Sequence, residues 1–136
     1  MIDKLIEYNI IKTGEFILKS GELSHFYVNL KEIISYPSLH KEICENLIEK
    51  IKINTNTDLI CGTPYGAVPF TSYISIVKDI PMLFLRKEQK TYGTKKLLEG
   101  LYKKKQRVIL LEDVITTGNS VIQTAEKLEQ EGLIIV

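Results

Sequence analysis

Two adjacent acids, Glu112 and Asp113, followed by Thr116, Thr117, Gly118, Asn119 and Ser120, make up the densest group of chemically useful residues in the chain. Carboxylates accept hydrogen bonds from hydroxyl groups. Small hydroxylated side chains, a glycine free to take φ > 0 and the backbone N–H groups that open a helix together cradle an anion. One ligand carrying both hydroxyls and a phosphate would satisfy the two halves, and a sugar phosphate has both. The run VILLEDVITTGNS, Val108 to Ser120, also indicates where this chemistry sits. Its aliphatics, bracketed by Arg107 and Glu112, suit a central strand of a parallel sheet, in which apolar residues follow one another without alternating. The acids then emerge at the strand's carboxyl end, the edge at which open α/β sheets bind ligands. An acidic pair after an apolar strand also occurs where nothing binds, so the ordered run as a whole carries the inference. It is neither a Walker loop, since no Gly-Lys-Ser/Thr follows, nor a dinucleotide fingerprint, since G-x-G-x-x-G is absent.

Half of the 18 basic residues lie between Arg86 and Arg107: Arg86, Lys87, Lys90, Lys95, Lys96, Lys103, Lys104, Lys105 and Arg107, against Glu88 and Glu99. Such a block serves as a solvated surface, a nucleic-acid patch or the clamp for a highly charged small anion. Its aromatics are Tyr92 and Tyr102, too few for a base-stacking platform, and the overall charge is +1; the small anion is favoured and nucleic acid is not. Lys19, just before a Ser20-Gly21 turn, can meet a carboxylate or phosphate as a point charge, and Phe26 with Tyr27 can sandwich a flat ring. Taken alone, a turn lysine is usually solvated and a Phe-Tyr pair in a strand is usually core. Cys44 and Cys61 lack metal-ligand spacing and lie in apolar runs, which fits buried thiols in a reducing compartment. His25 and His40 are too few and too isolated to suggest zinc or a Ser-His pair.

The elements that must position these residues are legible from periodicity. Asp3 to Ile11 is predicted as a short helix capped by Asp3, and Glu15 to Lys19 with Phe26 to Lys31 as a hairpin around Ser20-Gly21. Pro37 opens a helix with Leu39, Ile43, Leu47 and Ile51 on one face. Strands are predicted at Asp58 to Cys61, Pro81 to Arg86, Arg107 to Glu112 and Leu133 to Val136. Helices fall between them, one through about Lys78 and one from Ser120 to Glu131, the latter ended by Gly132 and turning Val121, Ala125 and Leu128 inward. Alternating strands and helices in a chain of 136 residues imply a single α/β domain, residues 1–136, on a mostly parallel sheet. The first residues, MIDKLIEYNIIK, carry charges throughout, and no apolar stretch approaches the roughly 18 residues of a membrane span, so a cytosolic protein without signal peptide or membrane partner is expected.

Taken in order, LKSGELSHFYVNLK (Leu18 to Lys31), GTPYGAVP (Gly62 to Pro69), LRKEQKTYGTKKLLEG (Leu85 to Gly100) and LLEDVITTG (Leu110 to Gly118) resemble the orotate phosphoribosyltransferase family, most closely the portion fused to a decarboxylase in eukaryotic UMP synthase. LLEDVITTG resembles the signature that type I phosphoribosyltransferases use to bind phosphoribosyl pyrophosphate (PRPP). The resemblance implies the type I fold: a central, mostly parallel sheet flanked by helices, with an amino-terminal hairpin as a hood. It implies transfer of ribosyl 5-phosphate from PRPP to a ring nitrogen of orotate, with Mg²⁺ bound mainly through the substrate and no particular protein ligand assigned.

On the resemblance, Glu112 and Asp113 bind the ribose 2′ and 3′ hydroxyls and Thr116, Thr117, Gly118, Asn119 and Ser120 hold the 5′-phosphate. Lys19, Tyr65, Arg86, Lys87 and Lys90 attend the pyrophosphate; Lys19, Phe26, Tyr27 and Thr116 attend orotate; Lys90 and Asp113 are the catalytic pair. A lid from Lys87 to Leu98 would be shared between the subunits of a homodimer, with Lys90 reaching the neighbouring site. Gly66 stands where many bacterial members have lysine, and Tyr92 where they have histidine. Family members continue past Val136 with further strands and an arginine for the orotate carboxylate, so a chain truncated at its carboxyl end is expected. Two other readings remain open: a phosphoribosyltransferase for another base, and a non-catalytic or truncated PRPP-binding homologue.

Overall fold

A computed structural model describes residues 1–18, 20–51, 57–86 and 97–136. The chain starts with helix α1 (Ile2–Glu7), shorter than predicted because Asn9 turns left-handed at φ +57; Asp3 lies in the first turn and makes no cap. Strands β1 (Ile11–Ile17) and β2 (Leu23–Val28) form an antiparallel arm. Pairing of Ile11 with Val28 carries the ladder nearer to α1 than alternation suggested, and a 3₁₀ helix, Leu30–Ser35, takes up the predicted end of the second strand. Helix α2 (Pro37–Lys50) opens at Pro37 as expected, burying Leu39 and Cys44.

The rest is β3 (Leu59–Gly62), α3 (Val68–Lys78), β4 (Met82–Leu85), β5 (Leu98–Glu99), β6 (Arg107–Leu111), α4 (Asn119–Gln130) and β7 (Ile134–Ile135). The sheet has the order β5-β4-β3-β6-β7, parallel except for the unpredicted edge strand β5, which runs antiparallel to β4. All four residues of β3 are buried, because it is the middle strand and both sheet faces are covered. Leu59 and Cys61 face a core shared with Leu83, Val108 and Leu128 of α4; Ile60 faces the other way, to Ile74 of α3 with Leu47 and Ile109 against it. A third cluster, Leu5, Ile10, Ile33, Leu39, Cys44 and Phe70, ties α1 and the base of the arm to α2 and α3.

Connectivity fixes where a ligand can enter. From β3 the chain crosses through α3 to β4 on one side, whereas from β6 it crosses through α4 to β7 on the other. The two connections diverge, leaving a crevice at the carboxyl ends of β3 and β6, the switch point at which sheets of this kind bind ligands. At the opposite end Asp58 accepts hydrogen bonds from the Arg107 backbone N–H at 2.7 Å and Nε at 3.0 Å, pinning the start of both strands. That guanidinium holds the Asp58 carboxyl below the usual carboxylate range.

Candidate active site

Glu112 and Asp113 leave β6 at this crevice, opposite the turn that leaves β3. In the parallel register Gly62 pairs with Leu111, so the next residues, Thr63 and Glu112, lie side by side on the face shared with Leu59 and Val108. Buried Thr63 donates its backbone N–H to the Leu111 carbonyl at 2.9 Å and its hydroxyl to Glu112 Oε1 at 2.7 Å. The Asp113 backbone N–H donates to the same oxygen at 3.3 Å. Burial holds the Glu112 carboxyl above its ordinary range; the Thr63 hydroxyl works against that shift and the Asp113 carboxylate adds to it. The site therefore contains a carboxylate whose charge is costly, kept at the crevice by a dedicated donor.

Across the crevice the turn Thr63 to Ala67 approaches β6 closely. A Cβ built on Gly66 would run into the whole Asp113 carboxylate, and one on Gly62 would strike Thr71 Oγ1. Tyr65 projects from this turn, half exposed, after a cis peptide bond with Pro64. Gly118, at φ +79, caps α4. Gly118 has no side chain to cap that helix, and the Asn119 backbone N–H donates to Thr117 Oγ1 at 3.5 Å; the first-turn N–H groups lack intrahelical partners. Thr116, Thr117, Asn119 and Ser120 are exposed there.

Pro64, Leu85, Arg86, Ser120, Gln123, Thr124 and Lys127 line a cleft of about 190 Å³. It joins three segments far apart in sequence: the turn after β3, the end of β4 and the start of α4. Arg86 Nε contacts Glu99 Oε1 at 2.5 Å across the β4–β5 edge. Among the residues whose importance sequence reasoning missed are Thr63, Glu99 and Lys127. The signal for Thr63 was its place one step beyond a buried strand that pairs with the strand bearing the acids; Lys127 sits seven residues after Ser120, two turns along the same helix face.

Phe26 and Tyr27 are exposed on the arm, where Tyr27 packs on Phe16 with ring centroids 5.7 Å apart. Among the described residues no hydrogen bond joins either to the acids. Lys19, Lys87, Lys90 and Tyr92 lie outside the described residues, as does most of the predicted lid. Among the described residues no group of three or more His, Cys, Asp and Glu could enclose a metal ion, and no helix is long and apolar enough to cross a membrane. Cys44 and Cys61 are free and buried, as expected.

A family profile described as "Phosphoribosyl transferase domain" matches residues 30–136. A Caenorhabditis elegans protein named orotate phosphoribosyltransferase is 40% identical over 98% of the chain and 59% of its own length. One of that name from Pyrococcus horikoshii is 39% identical over 100% of the chain and 74% of its length. Uridine 5′-monophosphate synthase of Bos taurus is 40% identical over 98% of the chain and 28% of its length. Among solved structures, Leishmania donovani UMP synthase superposes with a TM-score of 0.86 at 32% identity, over 98% of this chain and 29% of that one. Orotate phosphoribosyltransferase from Aeropyrum pernix superposes at 0.79 over 99% and 77%, a likeness of fold at 23% identity. The chain thus spans between about a quarter and three quarters of the length of these relatives.

Proposed function

Because the chain belongs to the orotate phosphoribosyltransferase family, we propose that it takes part in transferring ribosyl 5-phosphate from PRPP to a ring nitrogen of orotate, giving orotidine 5′-monophosphate and pyrophosphate for pyrimidine synthesis. The carrying observation is the convergence at one switch point of an acidic pair, the glycine-led start of α4 and the β3 turn, segments far apart in sequence. Glu112 and Asp113 take the ribose hydroxyls. Thr116 to Ser120 take the 5′-phosphate on the helix start. Tyr65 and Arg86 stand toward the pyrophosphate with Lys19, Lys87 and Lys90, while Lys19, Phe26, Tyr27 and Thr116 serve orotate.

In the transfer the anomeric C–O bond to pyrophosphate breaks and a C–N bond to orotate forms. Positive charge grows on the ribose and negative charge on the leaving group. Fixed cations at the phosphates and carboxylates near the sugar therefore lower the barrier more than a strong protein base would. A magnesium ion would neutralise diphosphate charge. Such an ion would be carried mainly by the phosphates of the substrate, with no particular protein ligand assigned. A water-free site also matters, since a glycosyl cation is quenched by water, and a shared lid in a homodimer would provide it. The two buried free thiols suit a reducing compartment such as the cytosol.

The test follows orotate absorbance on addition of PRPP and Mg²⁺, with calorimetry of PRPP alone and with Mg²⁺. Loss of absorbance is expected, and Lys90→Ala should slow it by orders of magnitude without shifting the unfolding midpoint. Turnover with a different base would overturn orotate as acceptor, and PRPP binding without turnover would leave this chain a donor-binding unit. No PRPP binding would end the assignment.

A further inference from the structure

We propose that the turn after β3 positions both acids: the Thr63 hydroxyl sets the Glu112 carboxylate, and the absence of a side chain at Gly66 makes the space in which the Asp113 carboxylate lies. Thr63 and Gly66 are then positioning residues for the ribose-diol grip, a role that rests on the donor-site reading for what the acids bind but not for how they are held.

Neighbouring carboxylates repel, so a pair that must present oxygens to a diol needs something to hold each in place. Glu112 has such a holder. The Thr63 hydroxyl meets Oε1 at 2.7 Å, and Thr63 itself is 1% exposed with its backbone N–H bonded to Leu111. A donor this constrained cannot follow a wandering acceptor, so the acceptor is held to the donor. Asp113 is placed by shape. Gly66 shows no left-handed φ, so glycine is not demanded there by the backbone; in this chain all three atoms of the Asp113 carboxyl group occupy the volume a Cβ would need, so any side chain at this position requires the acid to lie elsewhere. The Asp113 side chain can swing aside, whereas the turn is anchored by Thr63 and α3. Adding a methyl group should move the acid rather than the fold. Both constraints come from one turn that also bears Tyr65 on the predicted pyrophosphate side, so the grips on sugar and leaving group are mechanically joined.

Carbon-13 NMR titration of side-chain carboxyls in the 136-residue chain reads this without any ligand. Thr63→Val should raise the midpoint of Glu112, because a bond to the charged form is gone, and Thr63→Ser should return it toward the parent value. Gly66→Ala should displace the Asp113 carboxyl resonance while most amide resonances stay. In calorimetry with PRPP and Mg²⁺, Thr63→Val and Gly66→Ala should each weaken binding about tenfold, the scale of one charged hydrogen bond. In an Asp113→Ala background Gly66→Ala should add little, since the acid it moves is absent. An unmoved Glu112 midpoint in Thr63→Val, or a full Gly66→Ala effect without Asp113, overturns the proposal. A parent chain that binds no PRPP removes the donor-site reading instead, and the titrations still decide whether the turn positions the acids.

Discussion

A carboxylate works on a sugar hydroxyl as an acceptor, so the charge of Asp113 matters more than its shape. Asp113→Asn keeps the size and loses the charge; PRPP affinity should fall by about tenfold or more, given roughly 1.5–3 kcal/mol for a hydrogen bond to a charged group. Calorimetry on parent and variant checks this, with equal affinities excluding Asp113 from the grip. The acids were legible because they stand in one contiguous run between four aliphatics and a Thr-Thr-Gly-Asn-Ser turn, whereas Thr63 was hidden because a single threonine after a strand is ordinary. Its meaning comes from register with a strand 49 residues away. The cysteines make a second residue-scale case: burial pushes the thiol of Cys44 up to about 11 and that of Cys61 up to about 12. A thiolate-selective reagent at mildly alkaline pH should label neither in the folded chain and both after denaturation. Prompt labelling of Cys61 would show that β3 opens readily.

At the scale of elements, β3 and α3 are brought together by Gly62. An added Cβ there would meet Thr71 Oγ1 and, at 3.1 Å, the Ala67 backbone, and a backbone cannot swing aside as a side chain does. Gly62→Ala should therefore destabilise the fold by about 1–3 kcal/mol, the range for overpacking a close contact. Urea unfolding tests it, and an unchanged midpoint would mean the helix can slide. Helix α4 ends as its sequence foretold: Gly132 at φ +84 donates its N–H to Glu129 and Leu133 donates to Leu128, the paired bonds of a glycine C-cap. Strand β5 was invisible because two residues have no periodicity, and it is defined by pairing with Phe84 and Leu85. The arm was displaced in sequence because its strands carry little burial to fix where they begin.

The whole molecule depends on the join between the amino-terminal elements and the sheet, where His40 of α2 sits edge-on to Phe70 of α3, ring centroids 4.8 Å apart, and near Tyr73. Its buried Nε2 has no hydrogen-bond partner among the described residues, and burial lowers its pKa. The folded chain then takes up this proton less readily than the unfolded chain. The contribution is complete above the unfolded value of about 6.5 and is lost as pH falls through it toward the depressed folded value. Urea midpoints should drop between pH 8 and pH 5.5 more steeply for the parent than for His40→Phe, and parallel slopes would remove His40 as the cause. The sequence by itself determined the α/β class and most helices and singled out the acids and the Thr116–Ser120 loop as candidates, because these are written in local periodicity, caps and contiguous residues. Tertiary structure alone decided that β3 is the middle strand, that Thr63 holds Glu112, that Gly66 leaves room for Asp113 and that Arg86 shares a cleft with Ser120. Those facts depend on which strands become neighbours and in what register, a choice made by burying apolar faces collectively rather than by any stretch of chain.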